Sequence, residues 1–175
     1  MSKSKPQYVA GAAMFSSKRD DWATPPALFA ELNAEFGFTL DPCCKVATAK
    51  CDKFFAIDRG DDGLAESWQG ETVFMNPPYG KSVSTWMERA YRAAREEGAT
   101  VVALVPCSAD TGWWHEHVLA AGAEVRFVKG RVRFFQDGRP GGHAPFASAV
   151  VIYRPENIGQ APSLGSIVQA RKRAA

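Results

Sequence analysis

The chain has 175 residues, 46% of them hydrophobic and 23% charged, with a formal net charge of +2. That is material for one globular domain with a real core. It excludes a polycation that holds nucleic acid by bulk charge, so any such contact must come from a local basic patch. No apolar run approaches the roughly 18 residues of a membrane span. The short apolar stretch at 8–15 runs into Ser16, Ser17, Lys18 and Arg19 rather than a small-residue cleavage site, so the expectation is a cytoplasmic protein without a signal peptide.

In chain order, residues 1–21 are polar, carry Lys3, Lys5, Lys18 and Arg19, and read as a flexible arm. Residues 22–154 read as the domain proper. Residues 155–175, which end in Arg171, Lys172 and Arg173 before two alanines, read as a loosely held tail. The first helix is expected to start at Thr24, which can cap it, with proline tolerated in the first turn. Leu28, Phe29, Leu32 and Phe36 follow at helical spacing, and Gly37 ends the element.

A short strand at 38–40 delivers Asp41, Pro42, Cys43 and Cys44 at its carboxyl end. Residues 45–70 are irregular, with a short strand near 54–56. The four cysteines, Cys43, Cys44, Cys51 and Cys107, form no C-x-x-C pair and have no histidine at finger-like spacing; reduced thiols and no metal site are expected. A second strand at 71–75 ends directly in Asn76-Pro77-Pro78-Tyr79-Gly80.

Residues 81–98 form the clearest helix of the sequence, with Val83, Trp86, Met87, Ala90 and Ala94 on one face and charged residues mainly on the other. An unbroken apolar run at 101–105 reads as a buried parallel strand. A helix at 113–121 and a strand at 124–128 follow. Runs at 131–135 and 147–153 flank a loop rich in glycine and proline and suggest an antiparallel pair at the sheet edge. The pattern predicts an α/β fold: a mostly parallel sheet with that antiparallel edge pair and helices on both faces. Ligands of such sheets bind outside the carboxyl ends of the strands, which is where the Asp41 and Asn76 loops fall.

The Asn76 loop has a chemistry of its own. The exocyclic amine of a base such as adenine is a poor nucleophile, because its lone pair is delocalised into the ring. Accepting hydrogen bonds from both of its N–H groups frees that lone pair, which takes two acceptors fixed in space. The Asn76 side-chain oxygen is one, and the Pro77 carbonyl is the other. Two successive prolines leave the loop few conformations, the preorganisation such a site needs. Tyr79 offers a flat face on which an extruded base can stack. The loop alone does not say which planar amine is held: cytosine's amino group and a glutamine amide fit it too.

The loop and its companions resemble one family. The matching pieces are Phe15-Ser-Ser-Lys, Trp22-Ala-Thr-Pro25, Leu40-Asp-Pro-Cys-Cys44, Lys50-Cys51 with Phe54-Phe55, and Asp61-Asp-Gly-Leu64 with Trp68. Asn76-Pro-Pro-Tyr-Gly80, Asp110-Thr111 with Trp114, and Ala144-Pro-Phe-Ala-Ser148 complete them. In this order they are similar to the small phage-type DNA N-6-adenine methyltransferases. The resemblance implies a Rossmann-like methyltransferase fold, S-adenosyl-L-methionine as cofactor and double-stranded DNA as partner, in the host cytoplasm if phage-encoded. It implies that Thr24 and Pro25 lie against the methionine end of the cofactor, and that Asp41 and Pro42 lie beside its amino acid or ribose. Asp62 would recognise the adenine moiety, with Asp58 a competing acid for a ribose hydroxyl. Asn76, Pro77, Pro78 and Tyr79 match the catalytic loop. One departure is that 43–47 contains no glycine, where many methyltransferases carry a glycine-rich turn.

For DNA contact the sequence offers Trp113 and Trp114, each of which reads more readily as a core residue of the following helix, and Arg131, Arg133 and Arg139, which a solvated edge strand would also explain in part. His115 is expected to face solvent. With no second domain to read sequence, recognition falls to the loops at 107–116 and 136–146, with a second subunit as one way to extend it. A non-catalytic DNA-binding relative is the remaining alternative, supported by the basic last β pair and the missing glycine-rich turn.

Overall fold

The computed structural model describes residues 22–136 and 138–168; the expected arm at 1–21 and the basic end at 169–175 lie outside the described residues. Seven strands form the main sheet: β1 (Leu40–Cys44), β2 (Lys53–Ala56), β3 (Thr72–Met75), β4 (Thr100–Pro106), β5 (Glu124–Lys129), β8 (Ser148–Tyr153) and β9 (Ser163–Val168). A separate two-residue hairpin pairs β6 (Phe135–Gln136) with β7 (Arg139–Pro140). The order across the large sheet is β2-β1-β3-β4-β8-β5-β9, parallel throughout except for β8, which runs antiparallel to both of its neighbours.

This is the α/β, mostly parallel fold expected, and alternation along the strands explains its two layers. Val73 and Met75, Val101, Ala103 and Val105, and Ala149 and Val151 point to the face covered by α2 (Val83–Glu97). Phe74, Val102 and Leu104, with Val150 and Ile152, point to the opposite face, where Leu28 and Leu32 of α1 (Pro26–Phe36) pack beside Val132, Phe134 and Phe146. The α2 helix matches the apolar stripe of the sequence: Val83, Trp86, Met87, Ala90, Ala93 and Ala94 are its buried residues. Gly37, at φ 65, ends α1 and donates its N–H to the Asn33 carbonyl. Pro25, not Thr24, stands at the N-cap of α1, without a side-chain cap bond.

The antiparallel strand at 148–153 is present, but its partners differ from the expectation. It lies between β4 and β5 rather than against 131–135. Residues 131–134 form no strand: Val132 and Phe134 are buried, but they cover the sheet as a layer above it. Alternation in that segment reports burial on one side, which an irregular chain lying on a sheet also satisfies. Their backbone is bound locally, with Gly141 N–H on the Phe134 carbonyl at 2.7 Å and Ala144 N–H on the Val132 carbonyl at 2.9 Å.

A second difference lies in the expected tail. Ser163–Val168 pairs with β5 from Glu124↔Ser163 to Lys129↔Val168. Ile167 is its buried anchor, and the rest of the strand whose side chains are described is exposed, so it lacks the apolar pattern that would mark it. The turn before it is locked at Gly122, where a Cβ would come within 2.4 Å of the Gln160 carbonyl oxygen. Among the described residues no helix is long and apolar enough to cross a membrane.

Candidate active site

The chain leaves β1 for the edge strand β2 and leaves β3 for β4 on the other side, so the adjacent carboxyl ends of β1 and β3 flank a topological switch point. A cleft of about 570 Å³ opens there. Thr24, Asp41, Pro42, Asp62, Asn76, Pro78 and Tyr79 all line it, together with Trp22, Lys50, Asp61 and Gly63. Pro25, Asp58 and Pro77 are not part of that lining.

On one wall stand the acids. Asp41 is only 4% exposed; its Oδ2 accepts from the Lys50 N–H at 3.1 Å and its Oδ1 from the Cys43 N–H at 3.5 Å. Loss of solvent pushes its carboxyl up to about 6, against the pull of those N–H groups. Asp62 is exposed, lines the cleft and takes the Leu64 N–H on its Oδ1 at 3.0 Å. Asp61 binds the Ala56 N–H at 2.8 Å and pairs with Arg59, whose guanidinium holds its carboxyl below the usual range. Asp58 is committed elsewhere: its Oδ1 takes the Val46 N–H at 3.0 Å, outside the cleft. Of the two competing acids, Asp62 is the one at the cleft.

This wall is tied to the scaffold through Gly63 and Trp68. A Cβ on Gly63 would sit 1.9 Å from the Pro42 carbonyl oxygen, so only glycine lets the two loops meet. Trp68, fully buried, donates its indole N–H to the Gly63 carbonyl at 2.9 Å and stacks on Trp86 of α2. Arg89 lies 4.4 Å from the Trp68 ring, binds the Leu64 and Glu66 carbonyls and pairs with Glu97 at 2.8 Å.

The other wall is the Asn76 loop. Asn76 Nδ2 donates to the Trp22 carbonyl at 2.6 Å, and the Tyr79 hydroxyl donates to Asn76 Oδ1 at 2.8 Å. Burial drives the Tyr79 phenol well above its ordinary range, so it stays a proton donor. Its ring meets Phe134 and Phe146 edge to face at 5.9 and 5.4 Å. Pro77 is buried behind the loop, and Ser82 Oγ donates to the Pro78 carbonyl at 3.1 Å. Trp22 packs on the same two phenylalanines, and Ala23 exchanges both backbone hydrogen bonds with Phe135 at 3.1 and 2.8 Å. The base of the small hairpin therefore touches the segment that holds Asn76.

The residues expected at DNA divide. Trp114 is 3% exposed and belongs to the core under α2; it is a packing residue, because a ring buried there has no face left for a base. Trp113 is half-buried, packed edge to face on Trp114 at 5.3 Å. Arg131, Arg133 and Arg139 are exposed on and beside the β6–β7 hairpin. His115 is exposed as expected, with its Nε2 2.9 Å from the Ala109 carbonyl. Lys50, Asp61 and Gly63 belong to the segments that resemble the family, but the sequence alone gives none of them a role. Trp22 joins the site through its main-chain carbonyl, for which side-chain chemistry gives no signal.

The cleft thus joins a rigid, hydrogen-bonded amide on one wall to buried and half-open acids on the other. Comparison with known proteins identifies the family. The profile of the DNA N-6-adenine-methyltransferase (Dam) family matches residues 11–173. A DNA N-6-adenine-methyltransferase of Haemophilus phage HP1 (strain HP1c1) is 30% identical over 123 residues, 69% of each chain. The chain belongs to the DNA N-6-adenine-methyltransferase family.

Proposed function

We propose that the protein transfers a methyl group to the N6 amine of adenine in double-stranded DNA, with catalysis centred on Asn76. The observation that carries this is the Asn76 amide, fixed by two hydrogen bonds in the lining of a cleft that Asp41, Asp61 and Asp62 also line. The Asn76 Oδ1 accepts one N–H of the amine, and the Pro77 carbonyl, next along the same stiff loop, is the acceptor for the second once the base is seated, although Pro77 itself lies buried outside the cleft lining. Both bonds strengthen as the nitrogen lone pair localises toward the methyl group, so they favour the transition state over the ground state. Pro78 rigidifies the loop, and the Tyr79 ring borders the space that an extruded base would enter.

Family membership implies S-adenosyl-L-methionine as methyl donor, and the cleft suits it. An amino-acid end with a cationic amine matches the buried Asp41, with Pro42 and Thr24 in the same lining; Pro25, next to Thr24 in the chain, stands outside it. A ribose or purine edge matches Asp62, and Leu64, Phe55 and Ile57 give apolar walls for a flat ring. When bound, this group supplies a methyl activated by its sulfonium. Asp58, outside the lining, has no part in this reading. On the DNA side, Arg131, Arg133 and Arg139 give phosphate contacts, and Trp113 is the tryptophan left with exposed surface to meet DNA.

The test is methylation of plasmid DNA from a methylation-free host with radiolabelled S-adenosyl-L-methionine, followed by nucleoside analysis. N6-methyladenine is the expected product. Label in cytosine, or on protein alone, would overturn the assignment.

A further inference from the structure

A side-chain amide has an accepting end and a donating end of nearly the same shape, and only the accepting end can take an amine N–H. Asn76 therefore works only in one of its two orientations. Two neighbours select it. The Trp22 carbonyl takes the Nδ2 proton at 2.6 Å; a half-turn of the amide would press two acceptor oxygens together there. The Tyr79 hydroxyl donates to Oδ1 at 2.8 Å, closer than its other neighbour, the Leu104 carbonyl at 3.4 Å. Oδ1 keeps a second lone pair for a substrate amine.

Neither selector is free to drift. The Tyr79 ring is gripped edge to face by Phe134 and Phe146. The Trp22 carbonyl is held by the paired Ala23–Phe135 backbone bonds one residue along. We infer that the Tyr79 hydroxyl and the Trp22 carbonyl are positioning groups that lock the Asn76 amide with its oxygen as the acceptor, a role separate from stacking by the Tyr79 ring. This rests on the reading of Asn76 as the amine acceptor.

Tyr79→Phe isolates the hydroxyl, since it keeps the ring and its aromatic contacts. Single-turnover methylation of unmethylated plasmid DNA should fall about tenfold, the scale of one lost hydrogen bond felt at the chemical step. Affinity for S-adenosylhomocysteine by calorimetry, and for the same DNA by gel shift, should stay within about twofold of the parent. A variant as fast as the parent overturns the inference, because a ring-only role predicts that result. So does a rate loss matched by an equal loss of DNA or cofactor affinity. If the parent protein itself transfers no methyl group to DNA, the underlying function fails; a fast parent matched by an equally fast variant sinks the positioning role alone.

Discussion

The two walls of the cleft hold their functional side chains in different ways. The acidic carboxylates take local bonds, Asp41 to Lys50 at 9 residues, Asp61 to Ala56 at 5 and Asp62 to Leu64 at 2, while the loop behind them is anchored by Arg89 of α2 at 25 and 23 residues. The Asn76 wall is held from afar, by Trp22 at a separation of 54 residues and by Leu104 behind Tyr79 at 25. Short-range bonds allow a loop to be ordered as a unit and still adjust to what enters it. Long-range bonds freeze a group against the whole fold, which is what alignment of reacting atoms demands. The division implies a methyl-donor side that binds and a methyl-acceptor side that aligns.

The sharpest break of that division is Asn76→Ala. Turnover should drop about 10²–10³-fold, as for loss of one preorganised hydrogen-bonding group at a reacting centre, with cofactor affinity within about twofold. Parallel kinetics and calorimetry decide it, and equal losses in both would mean the walls are not functionally separate.

Next in size is Asp41→Asn, which should weaken cofactor binding about tenfold by removing a buried, charge-assisted acceptor. Its pH behaviour has a fixed sign. Burial lifts the Asp41 carboxyl from 3.8 to about 6 in the folded protein, so between those values the folded chain holds a proton that the unfolded chain has released. Stability contributed by this group therefore falls as pH rises from about 4 to 6. Above that window the buried charge costs up to about 3 kcal/mol. Asp41→Asn should raise the melting temperature at pH 8, and the gain should fade towards pH 4. Cofactor affinity of the parent should weaken as pH drops below about 6. A melting gain that ignores pH would contradict the buried charge.

Gly63→Ala forces apart the loops at 42 and 63, and should cost about 1–3 kcal/mol of stability and several-fold in cofactor affinity. The rate at saturating cofactor should hold, as single-turnover assays would show; a selective rate loss would tie the acidic wall to alignment. Smaller still, each of Arg131, Arg133 and Arg139→Gln should lower the salt slope of DNA binding by about 1, read by titration across salt concentrations. Asp58→Ala should move cofactor affinity less than about twofold in calorimetry, as its carboxylate serves the Val46 turn.

What the sequence conveys follows the same division. Asn76, Asp41 and α2 are legible because their signals are local: a loop after a strand, an acid at a strand end, a helical stripe. The Trp22 contact is not, since a backbone carbonyl has no residue type. Gly63 hides among 15 glycines until the Pro42 oxygen is seen above it. Alternation at 131–135 reports burial but not pairing, and β9 has little apolar content to betray it. Trp114 shows the reverse limit: a large aromatic near a strand end suits both a DNA surface and a core until burial is known.

The antiparallel insertion of β8 also bears on how the chain is made. The strands it joins, β4 and β5, are complete by residue 129, while β8 begins at 148. During synthesis both strands leave the ribosome before the strand between them, β4 with one backbone edge waiting and β5 with two, since β9 comes later still. All six residues of β8 are buried, so the gap it fills is the middle of the apolar layer. Sheet closure is thus a late, long-range event, and chains stalled before β8 carry three open edges on β4 and β5, prone to non-native pairing.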